Sequence, residues 1–424
     1  MTTTLERSMG VSGLVIHYVT SVVGVGILIL PGHAAAEAGP LSLLAWALLI
    51  LYSYPLALTF ARLSAQYPSA SGIACFVSTG LAPRAGRWVG AFLVLSLLIA
   101  NPVLGLAASR YLLNMWDPNP SDFKVVALGF AIMVGSVLFN LFGVKTSSFV
   151  QGAVLIALVT FLVVVMAIAM PSADTANLTP FAPHGWSSVG AALIVCFFGF
   201  IGWENAAPVA EEVVDPRRTF RKAIALAVFV IGFLYLTMAA TIVLVVPPGA
   251  AEGSQITAFT TLLRIVSGET LARVGGIVAV VLLLLATNAW VLGTSRMVYS
   301  SARSGLLPNA LTKVSARRNV PYVALLSLIA GYGVPVGLLL VTGSSEERLI
   351  TATSAAFLLI FLVTFVAAHR LLTGRAARLC NIGVAIGAAA MLPFFGTSLI
   401  YAGVLMLLAL AMVFRKNAAI QCCC

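Results

Sequence analysis

Apolar runs of about 20 residues recur from one end of this chain to the other, and short loops that hold the polar residues separate them. Each run is long enough to cross the ~30 Å hydrocarbon core of a bilayer as a helix. Only 9% of the 424 residues are charged, whereas soluble proteins have about 25% charged residues. The chain is therefore predicted to be an all-α polytopic membrane protein without a separate soluble domain.

The apolar runs and the helix-breaking residues between them divide the chain into twelve predicted transmembrane helices. The first ten cover residues 11–38, 41–65, 88–114, 124–142, 149–170, 188–209, 221–246, 271–300, 322–341 and 348–369. The last apolar block, 381–414, contains Pro393 and Gly396 near its middle and is interpreted as two short helices, 11 and 12.

The predicted organisation has three parts. Residues 1–370 form a core, in which helices 1–5 occupy about 11–170 and helices 6–10 about 188–370. Helices 11 and 12 follow in 380–415, and residues 416–424 form a cytoplasmic tail. The tail ends in Cys422, Cys423 and Cys424; it is interpreted as disordered, with acylation or metal binding as the alternative.

The basic residues indicate the orientation of the chain. If the N-terminus is cytoplasmic, 19 of the 24 Lys and Arg residues fall in loops on that side of the predicted helices. Basic residues concentrate in cytoplasmic loops, so both termini are predicted to lie inside a cytoplasmic (inner) membrane. These scattered loops also account for the net charge of +11. The lipid bilayer is therefore the expected partner, and nucleic acid is not.

Two predicted helices carry glycine and proline in their interiors. Helix 1 contains TSVVGVGILILPG and helix 6 contains FFGFIGWENAAP; the interrupting residues are Gly24, Gly26 and Pro31 in the first and Gly199, Gly202 and Pro208 in the second. Interrupted helices at matching positions of two halves are typical of the midplane site of a secondary transporter. Both helices are predicted to unwind there, with close glycine-mediated packing as the alternative.

The two halves are predicted to form an inverted repeat. Helices 1 and 6 are five apart, and because five is odd, the second copy enters the membrane from the opposite side. A segment too polar to span follows helix 2 at 66–87, and a similar one follows helix 7 at 247–270. The first lies on the predicted inner side and the second on the outer side, as inversion requires.

An unwound helix offers backbone groups to a ligand. Free N–H groups at the start of a half-helix suit a carboxylate, and carbonyl groups at the end of one suit an ammonium group. The predicted ligand is therefore an α-amino acid or a similar small amine. The side chains around the interruptions are mostly apolar, which favours a neutral, apolar amino acid. Asn101, Thr287 and Asn288 are polar residues at membrane depth, and they either line the pocket or form interhelical hydrogen bonds.

Glu204 is a carboxylate inside an apolar helix, and such a residue indicates a functional site. Three roles are open for it: it carries a coupling proton, it binds the substrate ammonium group, or it holds the interruption of helix 6 together by hydrogen bonds.

Four segments carry a resemblance to a known family. FFGFIGWENAAPVAEEVVDPRRTFRKAI, from Phe197, resembles the helix 6 signature of the amino acid–polyamine–organocation superfamily of transporters. TSVVGVGILILPG resembles its helix 1, YPSASGIACFV its segment after helix 2, and SRMVYSSARSGLLP the end of its helix 8. Within the superfamily the chain is most similar to bacterial exporters of methionine and branched-chain amino acids. The resemblance implies a five-plus-five inverted-repeat (LeuT-like) fold and transport by alternating access.

The resemblance also implies roles for individual residues. The backbone of Val22, Val23, Gly24, Val25, Gly26 and Ile27, and of Phe198, Gly199, Phe200, Ile201 and Gly202, would hold the amino and carboxylate groups of the substrate. Phe198 would be a gating aromatic residue, and Glu204 falls at the family's gate-proximal glutamate. Some relatives place a lysine in helix 5 instead of a sodium ion; this chain has Leu158 near that position and Lys145 in the preceding loop.

The sequence therefore predicts a secondary active transporter of neutral, apolar L-amino acids that works as an exporter or a proton-linked permease. An importer or exchanger of the same superfamily is the alternative. No phosphate-binding GK[ST] loop occurs, so coupling is expected to come from an ion gradient or exchange. A membrane-embedded enzyme is disfavoured because the four histidines are dispersed, and a channel because two interrupted helices favour an occluded site. No catalytic residue, metal site or cofactor is expected. The expected coupling ion is H+, with Na+ as the alternative, and no oligomeric state is predicted.

Overall fold

The computed structural model describes residues 9–69, 71–117, 119–142, 148–207, 210, 213–248, 257–315, 318, 320–343 and 346–414. The side chains of residues 24, 25, 148–152, 154, 155 and 206 are outside this description. The features predicted at Lys145, at Pro208 and in the tail Cys422–Cys424 also lie outside the described residues, as do the side chains of Gly24 and Val25.

The prediction of an all-α membrane protein is confirmed over the described ranges. They contain thirteen α-helices and no β-strand: α1 Val11–Ala38, α2 Ser42–Gln66, α3 Ile73–Gly80, α4 Pro83–Leu113, α5 Asp122–Asn140, α6 Ser148–Ala169, α7 Ser188–Phe197, α8 Pro216–Val245, α9 Ala258–Arg303, α10 Tyr322–Thr342, α11 Glu346–Leu371, α12 Arg375–Met391 and α13 Ser398–Phe414. Nine helical stretches among these residues are long and apolar enough to cross a membrane. Three shorter apolar helices accompany them, Val11–Val23, Ile156–Ser172 and Ser398–Phe414.

The helix ends follow the breakers in the sequence. α9 contains a kink at Ser267 and Gly268, where Gly268 has a φ of 78°, and predicted helix 8 starts at residue 271, just after this kink. α12 and α13 are separated by a 3₁₀ turn over Leu392–Phe395 and by the following Gly396, whose φ is 48°. The last apolar block is therefore divided as predicted. α4 starts at Pro83 rather than at residue 88, because proline is well tolerated in the first turn of a helix.

The prediction that helix 1 unwinds is wrong. α1 is one continuous helix from Val11 to Ala38, through both glycines and Pro31. Gly26 serves the alternative role of close packing. A Cβ atom at Gly26 would lie 3.0 Å from the Gly199 Cα and 2.9 Å from the Tyr235 Cζ, and it would overlap the Tyr235 hydroxyl. The absence of a side chain at Gly26 therefore lets α1 approach α8 and the end of α7.

The prediction that helix 6 unwinds is confirmed. α7 ends at Phe197, and a 3₁₀ turn follows over Phe198–Phe200. Ile201 is extended, Gly202 has a φ of 131°, and a second 3₁₀ turn covers Trp203–Ala206. We call residues 198–207 the break. Gly202 is required here, because L-residues with side chains rarely adopt this φ and a Cβ atom would lie 2.9 Å from the Ser21 carbonyl oxygen.

The break lies in the interior of the helix bundle. α1 packs along α8 and against α7 and α9, while α4 packs against α5, α9 and α11. Large apolar side chains on the opposite faces of the outer helices are exposed, for example Leu51, Phe229, Val341 and Phe414. Such an apolar outer surface is what the hydrocarbon interior of a membrane requires.

Candidate functional site

A cavity lies beside the break and is lined by residues of α1, α4, α9, α11 and the break itself. Its volume is about 40 Å³, which is room for about three water molecules. Its lining is mostly apolar and comprises Ser21, Val22, Gly26, Leu97, Ala100, Asn101, Leu104, Phe198, Gly199, Ile201, Trp290, Thr353 and Phe357. A largely apolar pocket with a few polar groups is the usual form of a small-molecule site.

Side chains satisfy several of the backbone groups that the break releases from helical pairing. The Glu204 carboxylate accepts a hydrogen bond from the Gly202 N–H at 2.9 Å. His17 on α1 donates from Nε2 to the Asn205 carbonyl oxygen at 2.9 Å. In an apolar interior an unpaired backbone group costs several kcal/mol, so these bonds stabilise the irregular chain.

Tyr235 on α8 joins α1 to the break. Its hydroxyl lies 2.8 Å from the Val22 carbonyl oxygen and 2.9 Å from the Gly199 carbonyl oxygen. A phenol has one proton to donate, so the two carbonyl groups share it. The ring of Tyr235 also packs against Trp46 and Phe200, with ring centroids 4.9 and 5.4 Å apart. This cluster holds the break against α1 and α2.

Glu204 is buried but is not part of the cavity lining. Only 6% of Glu204 is exposed, and its carboxylate accepts from the N–H of Gly202, the residue that follows the extended Ile201. Trp203 beside it packs against Tyr18 of α1, with ring centroids 5.4 Å apart. The bond from the Gly202 N–H fits the hydrogen-bond role, one of the three roles that the sequence left open, and the proton-coupling and substrate-binding roles stay predictions.

Asn101 is held in one orientation by a chain of hydrogen bonds. Its Nδ2 donates to the Thr294 Oγ1 and to the Tyr332 hydroxyl, both at 2.8 Å. The Thr294 hydroxyl in turn donates to the Trp290 carbonyl oxygen at 2.8 Å, so its oxygen can only accept from Asn101. This fixes which end of the amide is nitrogen. The remaining polar atom of Asn101, Oδ1, is an acceptor.

The structure brings six of the predicted substrate residues together in the cavity lining: Val22, Gly26, Asn101, Phe198, Gly199 and Ile201. Four others are buried close by without lining it: Val23, Ile27, Phe200 and Gly202. Thr287 donates within its own helix to the Leu283 carbonyl oxygen, and Asn288 accepts from Asn140 of α5 at 2.7 Å. Thr287 and Asn288 therefore lie outside the cavity, with hydrogen bonds inside α9 and between α9 and α5.

Sequence reasoning missed Ser21 of α1, the lining residues of α4 other than Asn101, Trp290 of α9 and both lining residues of α11. Leu97 and Leu104 lie about one helical turn on either side of Asn101, so helical periodicity around a singled-out polar residue could have found them. Thr353 and Phe357 are likewise four residues apart on one face of α11. The sequence contains no interruption or charge in α11 that points to them.

Comparisons with known proteins identify the family. The sequence model of the amino acid permease family matches residues 9–373. The chain is 30% identical to an uncharacterized amino acid permease of Bacillus subtilis over 91% of this chain and 90% of the relative. It is 26% identical to an L-methionine/branched-chain amino acid exporter of Escherichia coli over 89% of this chain and 90% of the relative.

A third relative is the branched-chain amino acid permease BcaP of Bacillus subtilis, which is 25% identical over 76% of this chain and 72% of that protein. These relatives are permeases and transporters, not enzymes. Together with the apolar helices, the match over most of the chain shows that this multi-pass membrane protein belongs to the amino acid permease family of the amino acid–polyamine–organocation superfamily.

Proposed function

We propose that this protein is a secondary active transporter of neutral L-amino acids that works by alternating access. The observation that carries the proposal is the cavity beside the break, which is lined by helices from both halves of the chain. The mostly apolar lining supports a neutral substrate. The names of two relatives refer to branched-chain amino acids and methionine, which supports a neutral substrate. In this proposal the chain crosses the cytoplasmic membrane twelve times, with both termini inside.

The packing of the helices supports the five-plus-five inverted repeat. If α1 corresponds to α7 and α2 to α8, an inverted repeat pairs α1 with α8 and α2 with α7, and both pairs are in contact. The same holds for α4 with α10 and α5 with α9. Each half also has a short helix after its second long helix, namely α3 and the part of α9 before its kink.

The break supplies the backbone part of the proposed site. α7 ends at Phe197, so its carbonyl groups and the negative end of its dipole face the break and suit the substrate ammonium group. Because α1 is continuous, its N–H groups remain paired within the helix. Val22 and Gly26 of α1 therefore contribute to a wall of the site, and residues 198–202 contribute the irregular backbone.

Transport requires this cavity to open. A volume of about 40 Å³ is too small for an amino acid of ordinary size, so the lining helices must separate during the cycle. In the proposed cycle α1, α2, α7 and α8 rock against α4, α5, α9 and α10. Phe198 lines the cavity at the end of α7 and serves as the gating residue, with Glu204 behind it. Protons are the proposed coupling ion and export the proposed direction.

Counterflow in proteoliposomes tests the proposed function. Purified protein is reconstituted with a panel of radiolabelled amino acids, and pH and sodium gradients are imposed separately. A carrier exchanges its labelled substrate saturably, and a proton-linked one accumulates it only when a pH gradient is present. Absence of saturable exchange for every amino acid in the panel, from protein shown to be folded, would contradict the proposal.

Glu204→Gln is expected to keep exchange but to lose pH-driven accumulation. Glutamine still offers a carbonyl oxygen to the Gly202 N–H, so the break is retained, whereas its amide cannot release a proton. The readout is the ratio of accumulation with and without a pH gradient. Glu269→Gln, at an exposed site on α9, is the control and should behave like the wild type. Unchanged pH-driven accumulation in Glu204→Gln would limit Glu204 to its hydrogen-bond role.

A further inference from the structure

Thr353 is a cavity-lining residue whose hydroxyl group is buried and has no partner among the described residues. Thr353 on α11 lines the cavity and is 1% exposed, and its Oγ1 has no hydrogen-bond partner within the described residues. Most buried hydroxyl groups of threonine in helices donate to the carbonyl group one turn earlier, as Thr364 does to Ile360 in the same helix. A buried polar group without a partner is costly, so its retention at a cavity wall indicates a ligand.

The second polar group of the cavity is the Asn101 amide. Its two N–H groups are occupied by Thr294 and Tyr332, which leaves Oδ1 as its acceptor. The two groups therefore differ in what they offer: Thr353 can donate or accept, and Asn101 can only accept. Asn101 lies on α4 and Thr353 lies on α11. Neither belongs to the break, whose backbone suits the ammonium group, so both are available to the substrate side chain.

Resting on the transport function proposed above, we propose that the cavity is selective for a small amino acid with a hydroxyl group on its side chain, and that Thr353 is the residue that binds this hydroxyl. A side-chain hydroxyl can donate to Asn101 Oδ1 and exchange a hydrogen bond with Thr353. Leu97, Leu104 and Phe357 surround these groups, so water competes poorly for the same hydrogen bonds. This selection departs from the sequence-based expectation of an apolar substrate, because Asn101 and Thr353, together with Ser21 of α1, are polar residues in an otherwise mostly apolar lining.

Threonine and valine are the substrates that test this inference, because they have nearly the same shape and differ by a hydroxyl and a methyl group. A site built to bond a hydroxyl discriminates against the analogue that lacks it, since the polar groups of the site are then left unpaired. In proteoliposomes the wild type is expected to show a kcat/KM for threonine about tenfold or more above that for valine.

Thr353→Val is expected to lower this threonine-to-valine ratio at least about tenfold, mainly through the KM for threonine. Thr353→Ser keeps the hydroxyl and should retain the preference. Ser354→Ala is the matched control: Ser354 is the next residue and its hydroxyl is also buried without a partner among the described residues, but it does not line the cavity. Its ratio should equal that of the wild type.

The outcomes separate this inference from the proposed function. If the wild type exchanges amino acids but transports valine as well as threonine, or if Thr353→Val leaves the ratio unchanged, the role of Thr353 is overturned while the transport function stands. If folded wild-type protein exchanges no amino acid, both are overturned. A purely structural role for Thr353 would lower transport of both substrates equally and leave the ratio constant, which also overturns the inference.

Discussion

Replacing Gly26 with valine is expected to abolish transport and to destabilise the protein by about 3 kcal/mol, at the upper end of the range for overpacking a core. The new Cβ atom would lie 3.0 Å from the Gly199 Cα and 2.9 Å from the Tyr235 Cζ. The first of these atoms is backbone and cannot rotate away. α1 would be pushed from the break, and the hydroxyl of Tyr235 could no longer reach both Val22 and Gly199.

Uptake by proteoliposomes and thermal unfolding in detergent measure the two effects of Gly26→Val. Gly337→Ala is the matched control, because Gly337 lies inside α10 with no atom within 4 Å of a Cβ placed there. Alanine at such an open helical position is neutral or slightly stabilising. Wild-type transport by Gly26→Val would show that α1 does not need this close approach.

The extent of the helices was predictable because it depends on local sequence. Apolar runs bounded by breakers placed α1 at its observed ends, and Pro393 with Gly396 predicted the division between α12 and α13. In helix 6 the glycines stand beside Glu204, a residue whose carboxylate bonds the freed backbone only two residues away. The stabilising partner of that break was therefore present in the same stretch of sequence.

Helix 1 shows why the same glycine signal failed elsewhere. Gly26 has no stabilising carboxylate nearby in sequence, and its packing partner Tyr235 lies more than 200 residues away. A glycine that serves close approach and a glycine that serves unwinding have the same local pattern, and only the tertiary neighbour distinguishes them. Sequence alone could not provide that neighbour.

A site residue could be identified from the sequence only where its polar side chain is unusual at membrane depth. Asn101 was identified as a polar residue in an apolar helix, and it lines the cavity. Asn288 is also a polar residue in an apolar helix, but its side chain accepts a hydrogen bond from Asn140 of α5. No feature of the sequence distinguishes Thr353 as a site residue, because buried threonines are common in membrane helices and most of them donate a hydrogen bond to their own backbone. Which polar residue faces the cavity depends on helix rotation, which packing sets.

Glu346→Gln is expected to destabilise the protein by about 3 kcal/mol, because it breaks a largely buried ion pair. The Arg110 guanidinium at the end of α4 binds both carboxylate oxygens of Glu346 at the start of α11; Nη2 lies 3.0 Å from Oε2, and Nε bonds Oε1. The two side chains are only 13% and 12% exposed. The charges also suit the helix dipoles, with a cation at a C-terminus and an anion at an N-terminus.

The loss arises because glutamine leaves the Arg110 charge with Asp122 alone, an exposed partner at 3.4 Å. Replacing both partners, Arg110→Met with Glu346→Leu, removes the charge as well as the bond and should recover most of the stability. Glu269→Gln breaks the solvent-exposed pair with Arg264 and should leave the thermal unfolding transition in detergent unchanged. Equal transitions for Glu346→Gln and Glu269→Gln would mean that the pair between α4 and α11 is effectively hydrated, and α4 and α11 would then be held together by their apolar contacts alone.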